Sequence, residues 1–296
     1  MIDRIKKCAV VFALLGLSAC GFGSPDSSAI EPDPSPEEAM YTPSSDGFHF
    51  LAIGDWGTGT ETQYTLANRM CELRKDVSFD LVITAGDNVY DTGSRGDFRA
   101  KFYDPFDCLL RKQVQFRSTL GNHDVITNNG RPELNEPRFG MNGRNYVIQE
   151  GGVRFVMVDS NRIRKRWLRR ALRPEEGDRW TIVVFHHPVY SSSSVHGSTD
   201  GFRFFMPPMF EKQGVDLVIT AHTHVYAVTK PLHKIRYVTT GGGSGPLYDC
   251  TPHWYTERCI EKNHFLSIVA GADEISVAAI DPAGAAIDRF STPGRD

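Results

Sequence analysis

Apolar residues along this chain fall into short compact runs separated by wider, striped stretches. Residues 48–53, 81–83, 116–120, 153–158, 180–185, 215–220 and 235–239 are runs of strand length. Between them, residues 60–76 place Leu66, Met70 and Leu73 on one helical stripe. Residues 161–173 do the same with Ile163, Trp167, Leu168, Ala171 and Leu172, and residues 98–110 keep helical spacing up to a break at Pro105. A further helix is expected over 202–213, beginning after its prolines. Residues 145–149 pair with 153–158 around Gly151-Gly152, and 265–269 and 275–280 close the chain as antiparallel strands. Pro-, Gly- and Ser-rich loops cover 131–143 and 191–200. Strands alternating with helices, and a β-rich tail, predict an α/β fold with sheets held between helices.

The polar residues that end these runs are not random. Five of the strands stop in groups able to bind a metal: Asp55; Asp87 with Tyr90; Asn122 with His123; His186; and His222 with His224. Strand ends on one side of a sheet open into one crevice. Taken alone, Asp87 and Tyr90 fit an ordinary strand-to-loop junction equally well. Together, the five ends make a mixed set of carboxylate, amide oxygen, imidazole and phenol. That mixture suits iron, zinc or manganese and not calcium, which takes oxygen alone.

The first residues change the picture of where the chain works. Arg4, Lys6 and Lys7 precede a short apolar stretch at 9–17, which has the anatomy of an export signal. The stretch Leu17-Ser18-Ala19-Cys20 resembles the lipobox of bacterial lipoproteins. That resemblance implies a signal peptide over 1–19 and lipidation of Cys20. It implies export to the cell membrane or outer membrane, with the catalytic domain periplasmic or extracellular. Residues 20–47 are rich in Pro, Ser and acids and read as a disordered tether, leaving 48–296 as the folded domain. The net charge of −3 leaves that domain close to neutral, without the basic excess of a dedicated nucleic-acid binder. Cys71, Cys108, Cys250 and Cys259 remain after Cys8 and Cys20 are set aside, an even count that fits two disulfides in an exported chain. Three connectivities are open. Pairing within each sequence region gives Cys71–Cys108 and Cys250–Cys259.

The five blocks, in this order and each after a strand, resemble the signature of the calcineurin-like metallophosphoesterases. With Gly86-Asp-Asn-Val-Tyr90 included they resemble the purple (tartrate-resistant) acid phosphatases. The resemblance runs from Ile53 to Gly245. It implies a four-layer α/β/β/α sandwich of two mixed sheets flanked by helices. It also implies two metal positions bridged by Asp87. One would be held by Asp55, Asp87, Tyr90 and His224 and carry Fe(III). The other would be held by Asp87, Asn122, His186 and His222 and carry Fe(II), Zn or Mn. A pair of metals roughly 3.5–4 Å apart clamps both ends of an in-line displacement at phosphorus, with metal-bound hydroxide as nucleophile. His123 and His196 would then be catalytic, facing the phosphoryl group or the leaving oxygen, with Asn122 and His187 as further substrate contacts. Asp124 would orient His123. The fifth block begins with Ala221 where the family usually has glycine.

Other features read more plainly. The run 162–173 reads as a solvated basic face whose apolar stripe is used in packing, the alternative being weak attraction to anionic lipid. The glycines at 241–245 have no helix after them and so are no dinucleotide fingerprint; they let backbone pass close to the crevice. The expected activity is hydrolysis of phosphomonoesters. A Mn- or Zn-dependent phosphodiesterase or nucleotide hydrolase on the same fold is the alternative. A non-catalytic surface binding protein is the alternative of another class. The partners expected are a small phosphoester substrate and a membrane, reached through the lipid anchor.

Overall fold

The computed structural model of the chain describes residues 46–294. The expected signal peptide, Cys20 and nearly all of the tether lie outside the described residues. In the first sheet, β1 (Phe48–Ile53), β2 (Leu81–Thr84) and β3 (Gln115–Ser118) run parallel. Antiparallel β11 (Phe265–Ala270), β12 (Glu274–Ile280) and β13 (Ala286–Pro293) extend it, in the order β13-β12-β11-β1-β2-β3. The second sheet is built from β4 (Tyr146–Glu150), β5 (Val153–Met157), β6 (Trp180–Val184), β7 (Leu217–Thr220), β8 (Tyr226–Thr229), β9 (Arg236–Thr240) and β10 (Thr256–Ile260). Its order is β10-β8-β9-β7-β6-β5-β4, with β5, β6, β7 and β9 parallel.

The apolar runs explain the layering. Alternate residues of a strand face opposite ways, so a strand covered on both sides is apolar throughout. Phe50, Ala52, Leu81 and Ile83 face Phe155, Met157, Ile182 and Val184 in a core between the two sheets. Leu51, Ile53 and Val82 turn outward instead. They pack with helix α1 (Glu61–Asp76) and an aromatic cluster of Trp56, Phe102, Phe106 and Phe116. On the far side, Val156, Val183 and Val218 meet α4 (Lys165–Ala171) and α5 (Asp200–Gln213). The result is the expected four-layer sandwich.

Local departures have local causes. The break expected at Pro105 is present: a wide turn at Arg99–Tyr103 precedes it and α2 (Asp107–Arg111) follows it. The loop 131–143 contains the one-turn α3 (Arg131–Leu134). Helix α5 begins at Asp200, ahead of Pro207 and Pro208, and carries both prolines inside it. The disulfides are Cys71–Cys108 and Cys250–Cys259, the pairing within each sequence region. Disulfides belong to chains that fold in an oxidising compartment. No helix among the described residues is long and apolar enough to cross a membrane.

Two buried histidines outside the crevice link this packing to pH. His49 reaches Ser267 Oγ at 2.8 Å, and His264 Nδ1 donates to the Lys262 carbonyl at 2.8 Å. Burial pushes both imidazoles down to about 4. The unfolded chain binds their protons below about 6.5 while the folded chain does not, so stability is present above that pH and is lost on acidification from about 6.5 to about 4. The expected loss at pH 5 is about 2 kcal/mol per histidine. Thermal melts at pH 7 and pH 5 check it: His264→Gln should shrink the gap between the two melting temperatures, and an unchanged gap would refute this account.

Candidate metal centre

The five polar strand ends meet at the carboxyl edge of both sheets. Asp55 follows β1 through Gly54, and Asp87 follows β2 through Gly86. Both carboxylates are buried and both backbones are left-handed, with φ of 54° at Asp55 and 50° at Asp87; His222, after β7, has φ of 69°. That region is sparsely used by residues other than glycine, but Asn, Asp and His enter it most readily. Glycines make the approach possible. A Cβ on Gly121 would lie 2.1 Å from Asp87 Oδ1, and one on Gly245 would lie 2.7 Å from the His224 ring. A Cβ on Gly54 would lie 2.4 Å from the methyl of Ala221. Bare Gly54 therefore makes the room that Ala221 needs at the start of its block.

Around Asp55, Tyr90 donates its hydroxyl to Oδ1 at 3.0 Å, and His224 Nε2 lies 3.4 Å from the same oxygen and 3.1 Å from the phenol. Oδ2 accepts the His222 backbone N–H at 2.7 Å. Around Asp87, Oδ1 accepts the His123 backbone N–H at 3.0 Å and Oδ2 lies 3.4 Å from His186 Nε2. Asn122 Oδ1 is 3.0 Å from the same His186 nitrogen. His222 stacks under His196 at 4.3 Å between ring centres and lies 4.5 Å from His187. The structure thus brings together Asp55, Asp87, Tyr90, Asn122, His186, His222 and His224, with His123, His187 and His196 half-buried at the mouth.

The donor set fits a metal. His186 Nδ1 faces the Ala85 carbonyl at 2.9 Å, and His224 Nδ1 faces the Pro246 carbonyl at 2.7 Å. Those contacts fix the Nδ1–H tautomers and turn the Nε2 lone pairs inward. There they meet the oxygens of Asn122, Asp87 and Asp55, which are acceptors too. Lone pairs converging in a buried space call for a cation. Titration records the same demand. Burial alone would raise Asp87, but His186, aided by His123, holds its carboxyl well below the usual range. Burial would likewise lower His186, yet Asp87 pushes it up to about 9. Burial with the Asp55 charge drives the Tyr90 phenol far upward, so a strong Lewis acid is required to ionise it. Two overlapping clusters, Asp55-Asp87-His186 and His186-His187-His222, each bring their ligand atoms within 4.8 Å of one another.

A family model, calcineurin-like phosphoesterase, matches residues 48–226. The chain belongs to that family. This phosphoesterase is a metal-dependent phosphoric ester hydrolase. Purple acid phosphatase 4 of Arabidopsis thaliana is 25% identical to it, covering 86% of each chain. Tartrate-resistant acid phosphatase type 5 of Rattus norvegicus is 22% identical over 87% of this chain and 94% of its own. Among solved structures, purple acid phosphatase PPD1 of yellow lupin matches with a TM-score of 0.70 at 16% identity, over 86% of this chain and 55% of that one, a likeness of fold.

One expected role is corrected. Asp124 does not touch the His123 ring, whose Nδ1 instead faces the Asp91 carbonyl at 2.8 Å. The Asp124 carboxylate accepts from Gly121 N–H at 2.7 Å, Asn88 N–H at 2.8 Å, Val89 N–H at 3.2 Å and Asn88 Nδ2 at 3.0 Å. It ties the loop after β2 to the loop after β3, because backbone donors surround it and the imidazole points away. His187 lies past the end of β6, where the Ser160 hydroxyl, 2.8 Å from its Nδ1, turns the ring toward His222. Sequence reasoning missed Ser160, although Asp159-Ser160-Asn161 ends β5 in the same polar manner as the other strands. It also missed Tyr248, whose ring stacks flat on His224 at 4.4 Å, and Glu133, which sits buried against Asn88 at 3.0 Å. Neither carries a sequence signal.

Proposed function

We propose that this phosphoesterase is a phosphomonoesterase of the purple acid phosphatase type, with two metal positions that share Asp87. The observation that carries the reading is the Tyr90 phenol, within 3.1 Å of both Asp55 Oδ1 and His224 Nε2. Asp55, Asp87, Tyr90 and His224 would hold a ferric ion, and Asp87, Asn122, His186 and His222 would hold Fe(II), Zn or Mn. Bound there, such ions supply Lewis acidity toward the phosphoryl oxygens and activate a water for in-line attack. The chain's own groups do the rest. Asp87, held well below the usual carboxylate range by His186, stays ionised. His123, anchored through Nδ1 to the Asp91 carbonyl, turns Nε2 to the mouth, where it would serve the leaving oxygen. His196 and His187 flank the phosphate as further donors. Export and lipidation at Cys20 complete the proposal, and would put the hydrolase on the outer side of a membrane.

A visible spectrum tests it. Iron-loaded protein is expected to show a tyrosinate-to-iron charge-transfer band that Tyr90→Phe abolishes while the fold, followed by circular dichroism, stays intact. A colourless protein fully active with Mn or Zn alone would end the ferric assignment. Faster hydrolysis of an aryl phosphodiester than of the monoester would favour the diesterase.

A further inference from the structure

The outer face of the second sheet carries a charge pattern that hydrolysis does not use. Between residues 162 and 173 there are seven cations and no acid: Arg162, Arg164, Lys165, Arg166, Arg169, Arg170 and Arg173. All seven are exposed. None of their charged groups forms an ion pair or hydrogen bond among the described residues. Elsewhere, cations such as Arg74 and Lys262 sit against Asp80 and Asp281 at 2.8 and 2.5 Å. The apolar stripe of α4 is used as the sequence predicts, with Leu168, Ala171 and Leu172 buried. The basic side faces outward with no acid to answer it among the described residues.

Helix α5 lies alongside and adds the second ingredient. Phe204 is 86% exposed, on a helix whose Met206 and Phe210 are buried. Lys165 Nζ sits 4.1 Å from the centre of the Phe205 ring. Between the helices is a cleft of about 570 Å³, lined by Arg169, Arg173 and Lys212 on one hand and by Phe205, Pro208 and Met209 on the other. Three cations and an apolar wall in one cleft match a ligand that is anionic at one end and hydrocarbon at the other. A free anion has no use for the exposed phenyl ring. A nucleic acid would call for a basic excess, and the chain has a net charge of −3. Basic side chains interleaved with Phe and Met are the composition that settles on an anionic bilayer, charge to the headgroups and rings to the acyl boundary.

We propose that the α4–α5 face seats the catalytic domain on an anionic phospholipid surface, with the cleft between the helices taking a lipid phosphate. The inference stands on residues remote from the metal centre and is independent of which ester is hydrolysed. It also differs from anchoring through Cys20, which would tether the chain without orienting it.

The test uses the full chain carrying Cys20→Ser, so that no acyl chain contributes. Its binding is measured by co-sedimentation with vesicles of phosphatidylcholine alone or with one third phosphatidylglycerol. Binding to the anionic vesicles is expected to be at least about tenfold tighter and to weaken as salt is raised. The charge-reversed chain, Arg169→Glu with Arg173→Glu and Lys212→Glu, should lose that preference while hydrolysing an aryl phosphate at the parent rate. The triple glutamine version, which keeps side chains of similar length, should lose part of it. Equal binding to both vesicle types, or a charge-reversed chain that binds as the parent does, would overturn the proposal. So would binding to a DNA duplex that the reversal abolishes without any preference among vesicles.

Discussion

Replacing Asp87 by asparagine is expected to lower kcat/KM for an aryl phosphate by roughly a thousandfold or more, the equivalent of about 4 kcal/mol of transition-state stabilisation. Asparagine is the informative substitution because it leaves the backbone at ease. Asn enters the left-handed region readily, and Asp87 has φ of 50°. The amide oxygen can still accept the His123 N–H that Oδ1 holds at 3.0 Å. What is lost is one negative charge 3.4 Å from His186 and the second oxygen with which a carboxylate joins two cations. Metal analysis of the purified variant should show at least one equivalent missing relative to the parent, with the fold, followed by circular dichroism, intact. A variant that keeps its metal content and comes within a few-fold of parental kcat/KM would refute the bridging assignment.

The second large effect should come from Asp124, and it should appear in stability. Removing the carboxylate leaves three buried backbone donors, from Gly121, Asn88 and Val89, without an acceptor. The Glu133 carboxyl beside it is pushed well up, by burial first and then by the neighbouring Asp124 charge, and its Oε2 accepts from Asn88 Nδ2 at 3.0 Å. Breaking such a buried network by deleting its anion costs about 3–5 kcal/mol. For a domain of this size, that lowers the melting temperature of Asp124→Ala by roughly 10 °C. Had Asp124 served to orient the His123 ring, the variant would lose turnover and keep its melting temperature. Calorimetry on metal-free and metal-loaded protein separates the two. A shift of under about 3 °C would show that the loops after β2 and β3 hold without it.

The sheets were readable because strands covered on both sides are apolar throughout. The run at Leu81–Thr84 is an example, and β6 of the second sheet is likewise buried at every position. The edge strands β10 and β13 were not readable, although the edge strands β3 and β4 were. β10, Thr-Glu-Arg-Cys-Ile, has no buried residue, and β13 alternates around Asp288 and Arg289. Each is held by pairing with a partner strand and not by its own pattern. The convergence of the candidate ligands was legible for a different reason. These residues sit at strand ends, and strand ends can be located from sequence. The supporting side chains could not be found in this way. Ser160, Tyr248 and Glu133 reach the centre through tertiary contacts from loops, where spacing carries no information about direction. Asp124 was located correctly beside the site but given the wrong neighbour, since a four-residue block does not say which way a carboxylate turns.

The left-handed backbone at Asp55, Asp87 and His222 bears on how such a centre can be lost. The side chains best able to ligate a metal there are also among the few that tolerate that conformation. Chemistry and backbone geometry therefore select the same short alphabet at these positions. Glycine and asparagine are the substitutions the chain accepts at least cost, so drift away from catalysis has easy first steps that leave the fold standing. Valine or isoleucine at the same three positions would strain the turn before any question of metal arose. A descendant that kept the scaffold for another purpose would be expected to show glycine or asparagine where this chain has aspartate and histidine.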